Sequence, residues 1–64
     1  MGYAEMDSIE PELFFKTPSG IIVKTTGRTI HIEAHGIYVH EVVITEGTGE
    51  GYIFLHNLDT AELL

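Results

Sequence analysis

Sixty-four residues with ten acidic and three basic side chains, a formal charge of −7 and no cysteine describe one small acidic domain. The charge excludes ordinary binding to nucleic acid or an anionic membrane, which needs clustered Lys and Arg, and the missing cysteines exclude a disulfide framework or a thiolate zinc site. A chain this short buries only about 60% of its unfolded surface, so a lone monomer is marginal and a partner is expected to help.

Residues 1–11 carry Glu5, Asp7 and Glu10 with scattered Tyr3, Met6 and Ile9 in no regular period, and read as a flexible acidic arm. The alternative is an arm that lays its apolar residues across a neighbouring subunit. Residues 12–64 read as a single β domain. Runs 13–16 and 21–25 flank Thr17, Pro18, Ser19 and Gly20, with Pro second and Gly fourth as a type I turn prefers. Thr26 and Gly27 offer a further tight reversal, which would bring Lys24 and Arg28 toward Glu46 and Glu50.

Residues 29–34 alternate with a period of two, placing Ile30, Ile32 and Ala34 on one face and Thr29, His31 and Glu33 on the other. His35 and Gly36 suit a two-residue hairpin loop leading into residues 37–45. That loop sets Ile32 opposite Val39 and His31 opposite His40, with Ile30, Ile32, Ala34, Ile37 and Val39 forming the inward face. It also leaves Glu41 on that apolar face, so a bulge or bend near His40 to Val42 is expected. Ile32→Ala should then cost about 2 to 5 kcal/mol, as large-to-small core changes do.

Gly47, Gly49 and Gly51 let the chain reverse into a last strand over 52–57. With Ile44 opposite Ile53 and Val42 opposite Leu55, the residues Val43, Thr45, Tyr52 and Phe54 fall on the other side, and both sides of this hairpin are apolar. Asp59 followed by Glu62 has the capping-box spacing and predicts one helical turn over 59–64, whose Leu63 and Leu64 must dock to justify the fold. The class is therefore all-β: a five-stranded antiparallel up-and-down meander, either a small barrel or a strongly bent sheet, with a short C-terminal helical turn.

His31, Glu33 and His40 are the candidate metal ligands, since two imidazoles and a carboxylate on one face could hold zinc with water in a fourth position. The preferred reading makes them a solvated polar stripe and assigns no metal and no cofactor. A third reading makes His31 and His40 a pH sensor through mutual repulsion when charged. His35 reads as a turn residue and His56 as a cross-strand partner for Glu41. The loop over 47–51 lacks the Lys and the following helix of a phosphate loop, and Glu46 and Glu50 would repel an anion. No Ser, His and acid arrangement or carboxylate pair points to catalysis, so the chain reads as non-enzymatic.

The expected function is a homo-oligomeric protein-interaction module that also meets another protein, contacting neither nucleic acid nor membrane. Val43, Tyr52, Phe54, Leu63 and Leu64 are its interface residues, because aromatic and large apolar side chains anchor contact cores. One alternative is an acidic, nucleic-acid-mimicking inhibitor of the kind viruses encode, presenting Glu5, Asp7, Glu10, Glu12, Glu46 and Glu50. Another is a small-ligand or metal-binding protein with a site between subunits at His31 and His40. No run approaches the ~18 apolar residues of a membrane span and the N-terminus lacks a basic, apolar leader, so a cytoplasmic location is the default.

Overall fold

In a computed structural model describing residues 2–64, the sheet is built on one long strand. This strand, β2 (Ile22–Ile32), pairs along its length with β3 (Ile37–Ile44) and near its start with β1 (Phe14–Lys16). Adding β4 (Ile53–His56) beside β3 and β5 (Glu62–Leu63) beside β1 gives an antiparallel sheet in the order β4-β3-β2-β1-β5. The first four strands form the expected meander, and the sheet stays open because its outer strands β4 and β5 do not pair. Short 3-10 turns at Tyr3–Glu5 and Leu58–Thr60 are the only helical elements among the described residues, none of which forms a helix able to cross a membrane.

The turn over 17–20 forms as its residue types require: the Gly20 N–H donates to the Thr17 carbonyl at 2.8 Å, and Gly20 takes a φ of 88°. Thr26 and Gly27 do not reverse the chain. They sit inside β2, where residues 26–28 together oppose Glu41. The bulge anticipated in β3 thus lies in its partner strand, with Gly27 at φ 95° supplying the left-handed backbone. Glu41 accepts a hydrogen bond from the Thr26 hydroxyl at 2.8 Å and lies 3.9 Å from the Arg28 guanidinium. Arg28 is therefore placed at mid-strand and not near Glu46 and Glu50.

Residues 21–25 and 29–34, expected as two strands, are one strand, β2, and the fifth strand is β5, from the segment expected to be helical. The helical turn spans only Leu58–Thr60 and is capped two residues earlier than expected, by Asn57 in place of Asp59, with the Asn57 side chain accepting from the Asp59 N–H at 3.0 Å. The Asp59 carboxylate accepts instead from the N–H groups of Tyr3 and Ala4. Gly2 suits this approach, since a Cβ there would meet that carboxylate at 2.6 Å.

One face of the sheet is covered. Phe15, Val23, Val42 and Ile44 point to it, and Ile9 and Leu58 are laid across it to complete the buried cluster. Tyr3 stands edge-on to Phe15, with ring centroids 5.2 Å apart at 86°. The segment read as a flexible arm therefore covers the chain's own core; its first residue, Met1, lies outside the described residues. Buried Thr25 ties the arm down, its hydroxyl donating to the Glu10 carbonyl at 2.7 Å and accepting from the Leu13 N–H at 2.9 Å. Thr25→Val keeps the shape and orphans both groups, so it should lower stability by about 1 to 3 kcal/mol. Unchanged urea unfolding would contradict that role.

Candidate interaction surface

The two hairpin registers decide which side chains remain outside the core. In the first, Ile32 pairs with Ile37, Ile30 with Val39, His31 with Tyr38 and Thr29 with His40. The loop is four residues, 33–36, closed by the His35 N–H donating to Ile32 and the Gly36 N–H to Glu33, each at 3.2 Å. It differs from the expected pairing by two positions, so the two faces keep their membership. What reverses is their role: His40, Val42 and Ile44 alternate as the fully or nearly buried residues of β3. Ile30, Ile32, Ile37 and Val39, expected to be the core, lie on the opposite side and are only half-buried.

In the second hairpin the slip is one residue, which exchanges faces. Phe54 opposes Val42 and leans on the core, while Ile53 opposes Val43 and Leu55 opposes Glu41. Ile53 and Leu55 are thereby turned outward, 54% and 46% exposed. With Val43, Val39, Ile37, Ile32 and Ile30 they make an apolar strip across β2, β3 and β4, interrupted at Glu41, which stands between Val39 and Val43 and opposite Leu55. The arm and the Leu58–Thr60 turn lie on the opposite face, and none of the strip belongs to the buried cluster. The charged neighbours of the strip are Lys16, Lys24 and Arg28 with Glu41 and Glu62, three positive against two negative. Glu5, Asp7 and Glu10 belong to the arm that covers the other face.

Of the residues expected at an interface, Val43 lies in this strip. Phe54 is taken up by the core, and Tyr52, 63% exposed, stacks on Phe54 at 5.9 Å. Leu63 pairs opposite Phe15 at the far edge and Leu64 follows it, both exposed. Sequence reasoning missed Ile53 and Leu55, and it placed Ile30, Ile32, Ile37 and Val39 inside. The signal was Glu41: a carboxylate fixed on their face marks that face as one the folded chain leaves open.

The candidate metal ligands are not brought together. His31 stacks on Tyr38 at 4.7 Å, Glu33 lies in the hairpin loop, and His40 is fully buried. The His40 Nε2–H donates to the Tyr3 carbonyl at 2.9 Å, which leaves Nδ1 to accept from the Thr29 hydroxyl at 2.8 Å. Both ring nitrogens are engaged in anchoring the arm. Among the described residues no three His, Asp or Glu side chains lie close enough to hold an ion.

His56 faces His40 and not Glu41, with its Nε2 3.2 Å from the Thr60 hydroxyl. Desolvation lowers its pKa below the ordinary 6.5. A histidine whose folded pKa is depressed contributes stability above its unfolded value, and that stability is lost as pH falls below it toward the folded value. The melting temperature should thus fall between pH 7.5 and pH 5, and fall less in His56→Gln. An equal fall in both proteins, by calorimetry, would contradict this assignment.

The remaining hollows are shallow. One of about 450 Å³ lies between Ile21, Ile22 and the loop at Glu46 to Thr48, and one of about 330 Å³ lies between Lys16 and Glu62. No family model, curated protein or solved structure matches the chain, so its function has to be read from this surface.

Proposed function

We propose that the chain is a non-enzymatic protein-interaction module that associates with copies of itself through the open face of its sheet. The observation that carries this reading is the bare strip of Ile30, Ile32, Ile37, Val39, Val43, Ile53 and Leu55 opposite a small, completed core. Sheets packed face to face interdigitate such side chains about 10 Å apart. A second copy suits the face because it carries little net charge in a chain of −7, Lys16, Lys24 and Arg28 standing against Glu41 and Glu62, so the acidic arms stay on the outside of a facing pair. The chain measures 32 × 20 × 17 Å along its principal axes. Facing copies would therefore bury on the order of 1,000 Å² in total, near the lower bound for a stable contact.

Val39→Lys tests the reading. It places a charge in the middle of the strip while bringing the net charge closer to zero, so lost association cannot be laid to general repulsion. Light scattering on a sizing column should show the wild type assembled and the variant at lower mass, with the circular dichroism of the fold retained. Equal masses would overturn the proposed surface.

A further inference from the structure

We infer that the outer edge of β4 is a second self-contact, at which two copies join their sheets by antiparallel pairing around a two-fold axis at Phe54. This rests on the self-association proposed above but uses the strand edge and not the sheet face. The main-chain geometry carries it. The Ile44 N–H donates to the Tyr52 carbonyl at 2.9 Å and the Ile44 carbonyl accepts from the Gly51 N–H at 2.8 Å, so Ile44 directs its main-chain groups toward β4, while the Thr45 N–H turns to the Ile22 carbonyl on the other side. Antiparallel ladders alternate, so 42 with 54 and 40 with 56 are bonded pairs, while Ile53 and Leu55 direct their N–H and C=O groups away from β3.

Those two residues also have the exposed side chains. The edge is thus unmet in both backbone and side chain. Nothing guards it: residues 51–58 contain no Lys, Arg, Asp, Glu or Pro, the devices that commonly keep edges from pairing. The opposite edge is guarded, because β5 is only two residues long and bears Glu62.

A second copy fits as occupant because the register is self-complementary. Setting Phe54 opposite its symmetry mate pairs Ile53 with the other chain's Leu55 at both ends, and all the outward groups of 53 and 55 are bonded. Ile53 and Leu55 then sit side by side on the open face, and Tyr52 stands opposite His56. An uncharged edge lets chains of −7 meet without opposing carboxylates. The two-fold closes on itself and does not propagate a fibre. Because edge and face are separate surfaces, the smallest assembly satisfying both holds four copies.

Amide hydrogen exchange by NMR, at a concentration where light scattering reports assembly, tests this on the unaltered chain. The Ile53 and Leu55 amides should exchange at least about 100-fold more slowly than unpaired amides. Unprotected amides in an assembled protein would overturn the edge contact and leave the face contact standing; a chain that stays single would overturn both. Cysteine placement gives a second reading, since the chain has no cysteine of its own. Phe54 would lie in a non-hydrogen-bonded pair with Cα atoms about 4.5 Å apart, within disulfide range. Oxidised Phe54→Cys should therefore run mainly as a covalent dimer. Because Phe54 also leans on the core, a mixture of Tyr52→Cys and His56→Cys chains serves beside it, and should cross-link mainly between the two variants. A random mixture of cross-links would contradict the register.

Discussion

Phe15→Ala is expected to unfold the domain, while Ile32→Ala, on a β-strand of the same sheet, leaves it folded. Phe15 is fully buried at the centre of the six-residue apolar cluster and carries the edge-on contact with Tyr3. Removing such a ring costs about 3 to 5 kcal/mol through lost transfer energy and the cavity left behind. At 0.05 to 0.15 kcal/mol per residue a domain of this size has roughly 3 to 10 kcal/mol in all. Ile32 sits on the open face beside Ile37 and outside the cluster, so its truncation should cost the dilute single chain about 1 kcal/mol or less. Urea unfolding followed by circular dichroism separates the two, and the reverse ranking would show that the covered and open faces have been exchanged.

His40→Ala is expected to release the arm. The imidazole fills a fully buried site and bridges β2 to the arm, from the Thr29 hydroxyl to the Tyr3 carbonyl. Its loss leaves a cavity and two groups without their partner, together about 2 to 4 kcal/mol. Asp59, holding the N–H groups of Tyr3 and Ala4, cannot compensate, because Tyr3 would have lost its bond to the sheet itself. Limited digestion with a protease specific for Glu should cut the variant at Glu5 under conditions that leave the wild type intact. Equal cutting and equal melting would show that the arm is held by its side chains alone.

The strand content was legible because period-two alternation and glycine-bearing turns are local signals. The turn at 17–20 and the reversal at 47–51 both follow from them. Three things were not local. Thr26 and Gly27 have the composition of a tight turn, and only the continuous pairing of β2 with β3 makes them a bulge. His35 and Gly36 suit a two-residue loop, yet the chain closes a four-residue one. Above all, the covered face is decided by Tyr3, Ile9 and Leu58, which lie outside the strands and show no period. Alternation states which residues share a face; it does not state which face receives a cover. Glu41 carried that information, and treating it as a fault to be repaired by a bend concealed it.

The same reversal moves the candidate surface. Tyr52 and Phe54, natural anchors by residue type, stack on each other; Phe54 serves the chain's own core while Tyr52 stays exposed on its outer side. The aliphatic residues between and beyond them become the strip and the edge.

Solution mass by light scattering tests self-association most directly. Each chain contributes 7.1 kDa, and four copies joined by face and edge predict about 28 kDa. A mass of one chain, unchanged as the protein is concentrated, would contradict the account.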